Sequence, residues 1–198
     1  MQGFVGSLVP WAMGPRFDVT KFDFDKDLDR TDAQLAPMMN QVSPDLSAFA
    51  RRGGKLIVFH GLTDGIVGPL DTVNYFERIG AAMPDRDGFA RLYLAPGMDH
   101  CTGGAGPDLF GQRPDMPPGD PKHDLIAALD AWRDQGQAPD AIIASKKNAD
   151  GAVVMTRPLC RYPAKAVWQG GDATAAASFR CVAGKGMTFA RPAAEYLK

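Results

Sequence analysis

Two stretches of the chain are apolar without polar alternation: Leu56-Ile57-Val58-Phe59, and the run Phe89 to Leu94, broken only by Arg91. A continuous apolar run fits a strand covered on both faces, as in a parallel sheet. Between the two, Leu70, Val73, Phe76, Ile79 and Met83 recur at helical spacing, and Pro69 stands where a first turn tolerates it, so Pro69 to Met83 reads as a helix. Strand, helix, strand in this order is a parallel crossover unit. Both strands then end at the same edge of one sheet.

The flanks are less regular. Met1 to Arg16 is apolar and rich in Gly and Pro without a clear period, and Phe17 to Arg30 alternates aromatic and acidic residues, as an extended segment leading into a helix turn would. The acids Asp23, Asp25, Asp27 and Asp29 lack the central Gly and distal Glu of a calcium loop. Ser43-Pro44 reads as N-cap and first turn of a short helix that Gly53-Gly54 stops. Cys101 to Gly119 is Gly- and Pro-rich and reads as an irregular loop. Asp120 and Pro121 are placed to cap a helix that turns Leu125, Ile126, Leu129 and Trp132 inward and ends at Gly136. Beyond it, the β-like runs Ala141 to Ala144, Ala152 to Thr156 and Ala164 to Trp168 are broken by Gly and Pro and read as an irregular tail. Residues 1–198 are taken as a single domain.

Composition narrows the function classes. With 198 residues, 45% hydrophobic and a formal charge of −1, the chain is globular in composition and carries no basic stripe that would bring it to nucleic acid or an anionic membrane. No apolar run approaches the roughly 20 residues of a membrane span, and Met1 to Met13 lacks the basic start of an export signal. Cys160 and Cys181 could form a disulfide or be two separate buried thiols. Cys101 is left without a partner in either case.

The candidate chemistry lies at the strand ends. Asp64 follows the first buried strand and His100 stands on the loop after Ala95-Pro96-Gly97-Met98, the turn that ends the second. An imidazole near neutral pKa can take a proton from a hydroxyl and return it to a leaving group when a carboxylate fixes its tautomer. His60, Asp64, Asp99 and His100 could also be assembled as a metal site, but His60 ends the buried strand beside Gly61 and reads as a hydrogen-bonded scaffold residue, so neither metal nor other cofactor is expected. The nucleophile is missing. Ser7, Ser43, Ser47, Ser145 and Ser178 all lack the Gly-x-Ser-x-Gly elbow between strand and helix. Cys101 is too close to His100 along the loop to serve it.

Gly53-Gly54-Lys55-Leu56-Ile57-Val58-Phe59-His60-Gly61-Leu62-Thr63-Asp64, then Arg91 to Gly104 with Asp99-His100-Cys101-Thr102-Gly103-Gly104, then Arg157-Pro158-Leu159-Cys160-Arg161-Tyr162-Pro163, resemble the carboxyl-terminal part of the tannase and feruloyl esterase family. The resemblance implies an α/β fold: an α/β-hydrolase-type parallel sheet, here incomplete, with the nucleophile half and lid absent. It implies a secreted or periplasmic serine esterase for small aromatic (phenolic) acid esters, whose export signal is not in this chain. By the same resemblance Asp64 is the triad acid, His100 the base, Cys160 and Cys181 a disulfide, and Cys101 a tether to a cysteine beside the nucleophile. Ile66 and Val67 are candidate apolar walls of the substrate pocket. The expected partner is the missing amino-terminal half or a second copy of the chain. Lacking the nucleophilic serine, the chain alone is expected to be inactive, and the competing reading is a non-catalytic, self-associating half-domain.

Overall fold

The computed structural model describes residues 2–40, 42–113, 116 and 119–188, and they fall into two compact units, one within Met1–Ser43 and the other Pro44–Ala190. In the first unit α1 (Gln2–Met13) is followed by a short 3-10 turn at Val19–Lys21 and by α2 (Asp27–Met39). The stretch without a visible period is thus helical, because apolar residues on most positions leave no contrast between faces. Asp18 caps the 3-10 turn by accepting from the Thr20 N–H at 3.1 Å. Val9 on α1 and Leu35 on α2 are buried, and the two helices are in contact.

The second unit begins with α3 (Ser47–Arg51), a turn later than the Ser43-Pro44 signal indicates. Asp45 is the reason: its carboxylate accepts from the Ser47 N–H at 2.9 Å, so the helix starts beyond it. Then come β1 (Leu56–Gly61), α4 (Pro69–Ala82) and β2 (Ala90–Ala95). The two strands pair in parallel from Leu56 opposite Ala90 to Gly61 opposite Ala95. Their continuous apolar sequence is explained by two cores. Ile57, Phe59, Tyr93 and Ala95 pack on one side with Met98 and Phe110, while Leu56, Val58, Ala90 and Leu92 pack on the other with Val73, Phe76 and Ile79 of α4. β2 is buried along nearly its whole length, whereas β1 is only partly buried before Gly61. The outer edge of β2 is engaged by the Tyr162 N–H, which donates to the Leu92 carbonyl at 2.9 Å. Among the described residues no strand other than β2 pairs with β1.

The next helix, α5 (Leu125–Gln135), is capped by Asp124 and not by Asp120 and Pro121. The Asp124 carboxylate accepts from Ala127 N–H at 2.8 Å, and residues 121–123 form a separate turn. Gly136 ends the helix at φ 71°, a left-handed conformation that costs glycine little. Leu125 and Trp132 face inward as expected, but Ile126 is exposed.

The irregular tail is also corrected. β3 (Ala141–Lys147) pairs antiparallel with β4 (Val153–Cys160), and β5 (Lys165–Trp168) pairs antiparallel with β6 (Phe179–Val182). Glycines and prolines that read as interruptions mostly lie in the connections. Pro158 is accommodated within β4 opposite Ile143, whose own N–H donates instead to the Lys122 carbonyl at 2.8 Å. No helix of the described residues is long and apolar enough to cross a membrane.

Candidate active site

The loops leaving β1 and β2 are bonded to each other before either reaches its candidate side chain. Leu62 N–H donates to the Ala95 carbonyl at 3.0 Å and Thr63 N–H to the Met98 carbonyl at 3.1 Å. The Thr63 hydroxyl lies 2.8 Å from that same carbonyl and 2.9 Å from Asp99 Oδ1. Gly61 permits this approach: a Cβ there would stand 2.3 Å from the carbonyl oxygens of Met98 and Asp99. Two loops far apart in sequence are thereby fixed at one rim.

At that rim His100 Nδ1 lies 2.8 Å from Asp64 Oδ2. The other carboxylate oxygen accepts from the backbone N–H groups of Ile66 at 2.8 Å and Val67 at 3.0 Å. The Asp64 side chain is 3% exposed and that of His100 46%. Burial works against ionisation of Asp64, but the Val67 N–H, His100 and the Ile66 N–H together outweigh it and hold the carboxyl well below its ordinary range. An ionised carboxylate can only accept, so His100 donates from Nδ1 and its neutral form keeps a lone pair on Nε2. That nitrogen bonds to none of the described residues.

Asp64 meets a second imidazole. His60 Nε2 is 3.3 Å from the same Oδ2 and 3.2 Å from the Val67 carbonyl, while Nδ1 is 2.7 Å from the Thr72 hydroxyl on α4. Both neighbours of Nε2 are acceptors, so Nε2 carries the proton and the Thr72 hydroxyl donates to Nδ1. His60 thus has the scaffold role read from the sequence, but its target, the candidate acid, was not foreseen. The spacing of four between His60 and Asp64 was the only available signal, and Thr63 and Thr72 gave none.

The loop after His100 is clamped from the hairpin. Cys101 is an exposed free thiol with φ 66°. Asp108, buried, accepts from Gly103 N–H at 2.6 Å and from the Thr102 hydroxyl at 3.1 Å, and pairs with Lys146 Nζ of β3 at 3.0 Å. Burial alone would raise the Asp108 pKa, yet Gly103, Lys146 and Thr102 lower it on balance. Lys146 also donates to the Gly104 carbonyl at 2.9 Å. Gly104, at φ +80°, could not be replaced, since a Cβ would stand 2.2 Å from the Gly97 carbonyl oxygen. Further along, the disulfide Cys160–Cys181 joins β4 to β6 with Cα atoms 5.6 Å apart.

Ile66 and Val67 contribute backbone to Asp64, and the two residues are 78% and 44% exposed. Neither borders the cavity of about 800 Å³ that opens beside the rim loops, which is lined by Leu62, Leu70, Pro96, Phe179 and Met187 among others. Among the described residues no group of three or more His, Cys, Asp or Glu could hold a metal ion. In particular, Asp99 is bonded to Thr63 and does not join His60, Asp64 and His100 in a ligand set. The arrangement is a buried carboxylate holding a half-exposed imidazole through its Nδ1.

A family model described as tannase and feruloyl esterase matches residues 6–182. The chain is 43% identical over 173 residues to a mono(2-hydroxyethyl) terephthalate hydrolase of Piscinibacter sakaiensis, covering 82% of this chain and 26% of that protein. It is 34% identical over 145 residues to feruloyl esterase B of Aspergillus niger, covering 70% and 28% respectively. Among solved structures, feruloyl esterase B from Aspergillus oryzae superposes with a TM-score of 0.74 at 28% identity, over 84% of this chain and 34% of that one. The chain therefore spans about a quarter to a third of the length of these relatives.

Proposed function

We propose that this chain, which belongs to the tannase and feruloyl esterase family and has an α/β-hydrolase-like fold, supplies the acid Asp64 and the base His100 of a serine esterase acting on aromatic acid esters. The observation that carries the proposal is the 2.8 Å bond between His100 Nδ1 and an Asp64 carboxylate whose second oxygen is held by two backbone N–H groups. That bond leaves Nε2 as the basic nitrogen. In the proposed reaction, Nε2 takes the proton of a serine hydroxyl as its oxygen attacks the ester carbonyl, then gives it to the departing alkoxide. Water, deprotonated by the same nitrogen, releases the acid from the acyl-serine. The serine comes from outside these 198 residues. Aromatic acid esters are chosen because the relatives bear the names of hydrolases for terephthalate and ferulate esters. The disulfide supports a secreted or periplasmic setting, where such bonds persist.

The test joins the part of the Piscinibacter sakaiensis relative that precedes the matched segment to this chain and assays a chromogenic benzoate ester. Turnover is expected, with a loss of about 10³-fold or more in kcat for His100→Ala. Retention of full activity by that variant overturns the assignment.

One observation favours a second reading. β1 is apolar, only partly buried, and pairs with no described strand on its outer side. Its free backbone groups could pair with a second copy of the chain. Sedimentation of the isolated chain decides: a monomer at about millimolar concentration excludes any dimer of useful affinity.

A further inference from the structure

The turn from Leu62 to Gly68, which presents Asp64, is poorly held by packing. Leu62, Ile66 and Val67 are all exposed, so apolar burial does little to fix it. Its start is bonded to the Ala95 and Met98 carbonyls through Leu62 and Thr63. Its far end is met by the imidazole of His60, whose Nε2 lies 3.2 Å from the Val67 carbonyl. Val67 thus uses both backbone groups here, the carbonyl toward His60 and the N–H toward Asp64 Oδ1 at 3.0 Å.

His60 is itself held. Its side chain is 10% exposed, and its Nδ1 accepts from the Thr72 hydroxyl at 2.7 Å. Thr72 stands on α4 beside Val73, which is fully buried and packs with Phe76 and Ile79 against the strands, so this hydroxyl comes from the best-packed part of the fold. A polar chain therefore runs from α4 to the exposed loop: Thr72 to His60, His60 to Val67, Val67 to Asp64, Asp64 to His100. The same His60 Nε2 stands 3.3 Å from Asp64 Oδ2, the oxygen that holds His100. A neutral N–H in that place favours the ionised carboxylate without supplying it a proton.

We infer that His60, locked by Thr72, is a positioning residue that holds the Val67 turn so that Asp64 faces His100 and keeps the proton on its Nδ1. The inference rests on the Asp64–His100 reading given above and adds a group on the far side of the acid. The role is polar and separable from packing, because leucine fills most of the ring's space without a donor and glutamine supplies one.

NMR of the ring nitrogens in the full chain at about pH 9, where imidazoles are neutral, reads the His100 tautomer without nucleophile or turnover. The parent is expected to carry the proton on Nδ1. His60→Leu is expected to move it to Nε2, the nitrogen a free imidazole prefers to protonate, while His60→Gln retains most of the Nδ1–H form. Thr72→Val, which takes the donor from His60, is expected to give a partial shift and Thr72→Ser none. In the joined enzyme kcat should follow the same order, falling about 100-fold for His60→Leu with little change in KM. An Nδ1–H parent whose His100 is unaltered in His60→Leu and Thr72→Val, or equally altered by leucine and glutamine, overturns the inference alone. An Nε2–H parent overturns the Asp64–His100 reading along with it, so the two failures are distinct. Should His60→Leu fail to fold, the two Thr72 variants decide: a shift with valine and not with serine sustains the inference, and any other result overturns it.

Discussion

The rim that carries Asp64 and His100 and the hairpins that follow α5 are held together by different physics. At the rim, backbone groups from two neighbouring loops do most of the work: Leu62 and Thr63 bond across to Ala95 and Met98, and Ile66 and Val67 turn their N–H groups onto Asp64. The partners there lie beside the strand ends that generate them. The hairpins reach the same place by long-range side-chain links. Lys146 crosses from β3 to Asp108 and Gly104, and the disulfide fastens β4 to β6. The rim sets the orientation of Asp64 and His100, and the hairpins hold one of its loops in place. Changes at the rim should therefore act first on rate, and changes in the hairpins first on stability.

The largest effect is expected from Asp64→Asn in the joined enzyme. With the wrong tautomer favoured at His100, kcat should fall about 10⁴-fold. A loss under 10-fold would dissolve the distinction between the two regions. Next comes Asp108→Ala, which leaves Lys146 without its carboxylate and the Gly103 N–H without an acceptor. Removing one partner of a largely buried pair is expected to cost about 3 kcal/mol in urea unfolding. Lys146→Met should cost less, since Asp108 keeps its bonds from Gly103 and Thr102. Equal costs would show that the ion pair, and not the loop bonds, is what the hairpin supplies.

Serine at both Cys160 and Cys181 should lower stability by about 3 kcal/mol, from the freedom returned to the unfolded loop, measured without reductant against the parent. An unchanged unfolding midpoint would remove the disulfide from the hairpin's role. The smallest effect is the acid response. Asp64 has a folded-state pKa below its ordinary 3.8, so its ionised form contributes stability above that value. The contribution is lost as pH falls through the lower folded value. Asp64→Asn should therefore flatten the decline of melting temperature below about pH 4. A decline as steep as the parent's would mean that Asp64 gains nothing from its partners on folding.

Most of the rim was legible because its determinants are local. The two continuous apolar runs place the strands, the 3.6 period places α4, and Asp64 and His100 then stand just past the strand ends. His60 was legible as a scaffold residue by its place at the end of β1, though not as a partner of Asp64. The misread parts have a common cause. The caps of α3 and α5 were placed on Ser43-Pro44 and Asp120-Pro121, strong by residue type, yet Asp45 and Asp124 hold the bonds that set where each helix begins. In the tail, Gly and Pro read locally as ends of order but mostly mark connections between antiparallel strands whose pairing joins residues distant in sequence. The Asp108–Lys146 link could not be seen at all, since 38 positions separate the partners.

The sequence alone determined the parallel crossover unit and the two residue types at its strand ends, since burial on both faces and helical period are written in neighbouring positions. Only the tertiary structure decided that the carboxylate and imidazole meet at 2.8 Å, that His60 lies against the same oxygen, and that a lysine from the hairpin fixes the loop beyond. A hydrogen bond between distant segments depends on side-chain placements of a few tenths of an ångström, which packing fixes and residue order does not encode locally.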